Sequence, residues 1–344
     1  MTKLAFITQQ VDPEHPALAA TVPKIRALAA LVDEVVVLAD GAVPGVLPDN
    51  CRVRTFRAPH KALRGARFEA ALSRELPGLR GGAVVAHMCP IYAVLAAPLV
   101  RPVRVPLVLW FTHWRASGLL RAAERASTAV TSVDVRSFPL PSTKLRAIGH
   151  GIDLDEFPCS PPRSGPGTRL LALGRYSTAK GLDVSVAAVP LAGDDVELHV
   201  HGPALSDEER AHRAELEQLV SELGLGRRVT IGDAIPRSEL PSVFAAHDGL
   251  VNNMRAGAPD KVVYEAAAAC LPVLASNPLF DELLDAEQRF TRWDPGTLSD
   301  RIRRLSGMTR DQRSALGHRL RERVAAGHSV DSWARGVLDA AGLS

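Results

Sequence analysis

Arg169-Leu170-Leu171-Ala172-Leu173-Gly174-Arg175-Tyr176-Ser177-Thr178-Ala179-Lys180-Gly181 reads as strand, turn and helix start in one run. Leu170 to Leu173 is a short apolar run of strand length. Gly174 breaks it, and helical spacing follows over Ala179 to Val189. A strand that hands over to a helix through a glycine turn is the repeating unit of a parallel sheet, so this stretch carries the fold class.

Outward from it, the same alternation occurs twice. Upstream, short apolar and β-branched runs lie at Leu4 to Thr8, Glu34 to Ala39, Ala83 to His87, Val105 to Phe111, Ala129 to Ser132 and Leu145 to Ile148, with helical periodicity between most of them. Downstream, Leu170 to Leu173 is followed by Val196 to Val200, Arg228 to Ile231, Gly249 to Asn252 and Pro272 to Ala275. Helices are expected near Ala179 to Val189, Asp207 to Leu223, Ser238 to Ala245 and Lys261 to Ala269. Between the two series, the Pro/Gly/Ser-rich run from Pro158 to Gly167 reads as an exposed linker. The length of 344 residues exceeds what one hydrophobic core usually supports. The expectation is therefore an α/β protein of two doubly wound domains, residues 1–157 and 169–325, joined by a linker at 158–168. From Asp300 onward the sequence is helical and rich in Arg, and its last helix, 326–344, is expected to pack back on the first domain.

Composition narrows the function classes. With 41 Lys+Arg against 38 Asp+Glu the formal charge is +3, too small to imply nucleic acid. Cys51, Cys89, Cys159 and Cys270 are far apart and form no CxxC pair, which argues against a zinc ribbon, a disulfide framework or a thioredoxin-type site and suits a reducing cytoplasm. The N-terminus turns polar at Thr8, so no signal peptide is expected. Gly81 to Val100 carries no charged residue and has the length of a membrane span. Pro90, Pro98 and His87 interrupt it, and it reads as a buried strand running into a helix.

In an open α/β sheet ligands collect at the carboxyl ends of the strands, where Gly174 to Gly181 lies. Gly174 allows close backbone approach, Arg175 offers a planar fork to phosphate oxygens, and Lys180 adds a point charge at a helix N-terminus. Taken alone, this is also the chemistry of an ordinary turn with solvated charges. Its company is more specific: His201-Gly202-Pro203 after one strand, Ile231-Gly232 after the next, then Asp260-Lys261-Val262-Val263-Tyr264-Glu265-Ala266 and Cys270-Leu271-Pro272-Val273-Leu274-Ala275-Ser276. In that order these segments resemble the donor half of the retaining glycosyltransferases of family 4, which have the GT-B fold. Trp110-Phe111-Thr112-His113-Trp114 is similar to that family's strand ending in a histidine, and Ile148-Gly149-His150-Gly151-Ile152-Asp153 with Phe157 resembles its turn before the linker. The likeness covers most of residues 80 to 280.

The resemblance implies two Rossmann-like domains facing a central cleft, a nucleoside diphosphate sugar as donor substrate, and an unidentified hydroxyl acceptor. It implies retention in a hexosyltransferase-like reaction, with no metal and no further cofactor. Arg175 and Lys180 match the cations on the donor diphosphate, and Glu265 matches the glutamate that accepts from the ribose hydroxyls. Gly174, Gly202, Gly232, Asp260 and Lys261 fall in the donor site, and His113 near the sugar and acceptor. Without the resemblance, Glu265 would read as a carboxylate near a helix start, and His113 as a core histidine donating to a carbonyl.

The sequence departs from the family pattern in four places. Gly257 stands where the first acidic residue of Glu-x7-Glu belongs, and Asp260 is its candidate replacement. Cys270 replaces a glycine, and His150 an asparagine. Gln9 to Pro16 occupies the loop where many members have a glycine pair. Asp153-Leu154-Asp155 matches a manganese signature of a different fold and reads here as a helix-start cap. His199 and His201 alternate along one strand rather than forming a ligand pair. The basic amphipathic stretch from His60 to Leu72 suits either a packed surface helix or a peripheral membrane contact. A sugar-nucleotide epimerase of the same fold and a non-catalytic sugar-nucleotide or glycan binding protein are the alternative functions.

Overall fold

Parallel strand pairing organises the chain twice over. The computed structural model describes residues 2–15 and 18–343. Pro16, at the end of the Gln9 to Pro16 segment, lies outside the described residues. By its contacts the chain divides into two units, Met1–Asp153 with Gly327–Ser344, and Leu154–Ala326.

The first unit holds a seven-stranded parallel sheet: β1 (Lys3–Val11), β2 (Glu34–Ala42), β3 (Cys51–Thr55), β4 (Ala83–His87), β5 (Leu107–Trp110), β6 (Ala129–Ser132) and β7 (Leu145–Ala147), in the order β3-β2-β1-β4-β5-β6-β7. Leu4 to Ile7 pair with Val35 to Leu38 on one side and Ala83 to Ala86 on the other, so the central strands are apolar on both faces. Helices α1 (Thr21–Ala29), α2 (Lys61–Glu75), α3 (Pro90–Val100) and α4 (Gly118–Ala126) join the strands. The C-terminal helix Val330–Ala341 belongs to this unit and packs against α1 and β6. Strand β1 runs three residues past the expected end, carrying Gln9, Gln10 and Val11 as strand rather than loop. Strand β3 was not expected. It is an edge strand whose Arg52 and Arg54 reach the buried Glu75, so its alternation is charged rather than apolar.

The basic stretch near residue 60 forms α2, which buries Phe68, Ala71 and Leu72 in the core of this unit. Gly81 to Val100 resolves into β4 and α3. Among the described residues no helix is long and apolar enough to cross a membrane.

The second unit holds five parallel strands, β8 (Thr168–Leu173), β9 (Val196–His201), β10 (Val229–Gly232), β11 (Gly249–Asn252) and β12 (Val273–Ala275), in the order β10-β9-β8-β11-β12. Its helices are α5 (Leu182–Ala192), α6 (Asp207–Glu222), α7 (Leu240–Ala245), α8 (Lys261–Ala268), α9 (Pro295–Ser306) and α10 (Arg310–Gly327); Val330–Ala341 is α11. The helix expected from Ala179 begins instead at Leu182. Thr178–Lys180 is a single 3-10 turn capped by Ser177, and Gly181 at φ +56° separates it from α5.

The segment 158–167 has no regular secondary structure and no buried residue, and Arg163 within it donates from Nε and Nη2 to Oδ2 of the buried Asp248, at 2.9 and 2.8 Å, while Arg313 reaches its Oδ1 at 2.8 Å. One expectation needs correction: against the reading of the cysteine spacing, Cys159 and Cys270, 111 residues apart, are joined in a disulfide. Local spacing could not show either, because both partners meet only through the tertiary fold.

Two histidines are kept neutral inside these units. Burial pushes His247 down to about 4; its Nδ1 lies 2.6 Å from the Val243 carbonyl and its Nε2 3.0 Å from His199 Nδ1. Burial also pushes His328 down to about 4, although Asp134 pulls the other way. The unfolded chain protonates each near pH 6.5 while the native state does not, so stability is full above that value and falls as pH drops toward about 4. Each histidine withdraws up to about 3 kcal/mol across this window. Urea unfolding followed from pH 7 to pH 4.5 should show this loss, and His247→Gln should flatten the profile over that range. A wild-type profile flat above pH 5 would contradict it.

Candidate functional site

Strand order in the second unit reverses between β8 and β11, and a doubly wound sheet opens a crevice there, beyond the carboxyl ends of the two strands. Lys180 lies across that point. Its ammonium donates to the Leu173 carbonyl at the end of β8, at 3.1 Å, and pairs with Asp260. Asp260 in turn accepts from Asn252 Nδ2, at the end of β11, at 2.7 Å. The Lys180 and Asp260 side chains are 12% and 16% exposed. The two bonds leave one of the three ammonium N–H donors for a ligand. Gly174, φ +135°, makes this placement possible, because a Cβ there would occupy the volume of the Lys180 side-chain end.

The loops around this point are cross-tied. Asn253 donates to the Gly181 carbonyl at 3.2 Å and accepts from Ser276 at 2.6 Å. The Ala179 carbonyl receives both the Arg255 backbone N–H, at 3.0 Å, and Arg292 Nη2, at 3.1 Å. Burial and the neighbouring Arg255 charge lower the Arg292 pKa, a mark of crowded positive charge beside the turn that carries Lys180. Gly202, after β9, abuts the Gly174 carbonyl, and Gly232 closes β10 with its carbonyl accepting from Tyr176 O–H at 2.5 Å. Arg175 takes a different direction from Lys180. Its guanidinium pairs with Glu209 at 3.2 Å and its side chain is 61% exposed.

Lys261 and Glu265 form a second cluster on α8. Glu265 is buried, and its Oε1 accepts from Arg237 Nη1 at 2.7 Å and lies 3.1 Å from Lys261 Nζ. Arg237 also donates to Glu156 at 2.5 Å and lies over the Phe157 ring. Burial alone would raise the Glu265 pKa. The charges of Lys261 and Arg237 outweigh it and hold the carboxyl below its usual range. Asn252 and Arg292 were not among the expected site residues; Arg237 ends the stretch after Gly232 where the resemblance puts the base, but its pairing with Glu265 was not expected. Asn252 could have been found from its place at the end of an internal strand, whereas Arg292 sits in a turn with no local signal.

In the first unit His113 follows β5 and is exposed. Its Nδ1 accepts from the Arg115 backbone N–H at 2.9 Å, and its ring stacks on Trp114. Partial burial and Arg115 lower its pKa, so the ring is neutral near pH 7. A core histidine donating to a carbonyl is therefore not what stands here; His87 and His150 are the buried histidines around Trp110 among the described residues. His87 stacks on Trp110 at 4.8 Å, with the buried Lys24 ammonium 3.4 Å from its Nε2 and 3.8 Å from the Trp110 ring centroid. Burial and then the Lys24 charge push His87 well below its ordinary pKa.

Comparison with known proteins bears on both units. Residues 167–307 match the family described as glycosyl transferases group 1. No curated protein matches the chain by sequence. In structure the chain is similar to sucrose-phosphate synthase from Thermosynechococcus elongatus, at 19% identity and TM-score 0.75 over 98% of each chain. It is also similar to Anabaena HepE in complex with UDP, at 17% identity and TM-score 0.76 over 98% of this chain and 99% of that one. A glycosyltransferase from Rickettsia africae aligns at 12% identity and TM-score 0.76 over 99% and 97%. The fold is GT-B, built from two Rossmann-like units.

Glu265→Gln would leave the Arg237 and Lys261 cations side by side with the shared carboxylate gone. Breaking a buried pair from one side costs several kcal/mol, and the partial exposure of Lys261 lowers that to about 3 kcal/mol here. Arg237→Ala should cost a similar amount. Chemical denaturation of both variants reads this directly, and a loss below about 1 kcal/mol in each would show that the cluster is not a structural tie.

Proposed function

We propose that this chain is a metal-independent, retaining glycosyltransferase that moves a hexose from a nucleoside diphosphate sugar to a hydroxyl acceptor, in a reducing cytoplasm. The observation that carries the reading is Lys180, fixed by Leu173 and Asp260 at the switch point of the second sheet with one N–H donor in reserve. A diphosphate placed there meets a fixed cation and a turn of crowded positive charge, and it needs no reorganisation as the glycosidic bond breaks. The match of residues 167–307 to glycosyl transferases group 1 supports the same assignment. Anabaena HepE has been solved with UDP and with UDP-glucose, which makes a uridine donor the first to test.

In this reading Asp260 and Asn252 hold Lys180 in register, and Gly174 and Gly202 let the diphosphate approach the backbone. Arg175, paired with Glu209, swings to the phosphates when donor binds. Glu265 and Lys261 meet the nucleoside, Gly232 borders the base, and neutral His113 donates to the sugar or the acceptor hydroxyl. In this reading no side chain acts as a nucleophile: the leaving phosphate oxygen takes the acceptor proton on the same face of the sugar, giving retention. The protein contributes positioning and charge.

UDP should raise the melting temperature of the wild type, and Lys180→Ala should abolish most of that shift. With UDP-glucose and water as the acceptor, slow hydrolysis should release α-glucose first, read by proton NMR before mutarotation. Lys180→Ala should slow that release by about 10²–10³-fold. Release of β-glucose would overturn retention. Equal rates in Lys180→Ala and wild type would overturn the role of the lysine, and saturable UDP binding with no turnover on any acceptor would identify a binding protein instead.

A further inference from the structure

A cluster of soft ligands lies outside the site described above, at the end of α8 remote from Lys261. Cys159 belongs to the segment that enters the second unit, Cys270 follows α8, and His318 projects from α10. One imidazole nitrogen, His318 Nδ1, lies 3.7 Å from Cys159 Sγ and 3.7 Å from Cys270 Sγ. From these residues we propose a redox-gated metal site: a disulfide when oxidised, as seen here, and a Cys2His centre for zinc or a similar thiophilic divalent ion when reduced.

The distances carry this argument. A tetrahedral zinc ion with Zn–S of about 2.3 Å and Zn–N of about 2.0 Å holds sulfur and nitrogen roughly 3.6 Å apart, and two sulfurs about 3.8 Å apart. Both nitrogen–sulfur separations already stand near that value. Once the bond between them is reduced, the two sulfurs are free to take the separation that a shared ion needs. Cys159 Sγ also lies 3.9 Å from His318 Nε2, so the ring turns to aim the Nδ1 lone pair at the ion.

The backbone around the cluster is fixed. Gly317 lies directly against the Cys270 carbonyl, with no room for a Cβ, which presses α10 onto the end of α8. Arg321, one turn beyond His318, donates to the carbonyls of Leu154, Phe157 and Ala268 and so ties the entering segment, α8 and α10 together. All three ligands are therefore held on preorganised chain. Cys270 is buried, Cys159 half-buried and His318 exposed, which leaves an open side for a water as fourth ligand.

Cysteine usage in the sequence suits a reducing compartment, where the site would be in its thiol form. A dithiol reductant opens the disulfide, its own two sulfurs ending bonded to each other and its two protons passing to Cys159 and Cys270. A divalent ion then displaces those protons, binding two thiolates and the Nδ1 lone pair. The ion closes the entering segment onto α8 and α10, a structural clip that leaves the transfer chemistry to Lys180 and its neighbours.

Cobalt(II) is the probe. The full-length protein, reduced with a phosphine and kept anaerobic, should take up one equivalent, with thiolate charge-transfer absorption and the visible bands of a tetrahedral ion; zinc should bleach both. Cys159→Ser and Cys270→Ser should each lose the charge-transfer band. His318→Ala, an exposed position whose loss should leave the fold intact by circular dichroism, should weaken cobalt affinity at least about tenfold. Cys51 and Cys89 remain in every variant, so bands that persist unchanged in all three would place the metal elsewhere and overturn the assignment. Reduced wild type with no cobalt bands would also overturn it and leave a disulfide only.

Discussion

The ion pair between Lys180 and Asp260 holds the second unit's site together, because it joins the two strands on either side of the switch point. Lys180 takes the Leu173 carbonyl at the end of β8, and Asp260 takes Asn252 at the end of β11. Neither charge could be buried to this degree alone, since an unpaired ion inside a protein costs several kcal/mol. Paired, they convert a crevice that any doubly wound sheet would open into one with a cation at a set position. The surrounding ties of Asn253, Arg255 and Arg292 act on the same short turn, so the position of the ammonium is determined from several directions.

Backbone geometry limits what can stand at Gly257. Gly257 has φ +80°, a left-handed conformation that a side chain adopts only with strain. The loop around it is pinned by Asn277, whose amide donates to the Arg255 and Ala258 carbonyls, both at 2.9 Å. Three residues later Asp260 stands just before α8 with φ −72°, and it is the carboxylate that pairs with Lys180.

What could be read from the sequence follows the physics of each signal. Central parallel strands are apolar on both faces, and eleven of the twelve strands in the described residues were visible as short apolar runs. Strand β3 escaped because it lies at an edge and carries Arg52 and Arg54, which satisfy Glu34 and Glu75 rather than a core. Lys180 and Asp260 stood out, since each adjoins a strand end or helix start, but their mutual pairing across 80 residues did not. The burial of Lys24 and the pairing of Arg237 with Glu265 were invisible for a related reason. A charge buried by partners that are distant in sequence looks, locally, like any solvated charge.

That asymmetry bears on how the two faces of α8 should be understood. Its first turn carries Lys261 and then Glu265, locked by Arg237, and its end runs into Cys270, locked by Cys159 and by the backbone of Gly317. A helix of eight residues has too few internal hydrogen bonds to hold a fixed position by itself. Its placement is imposed from both ends by long-range partners, one set ionic and one set sulfur-based.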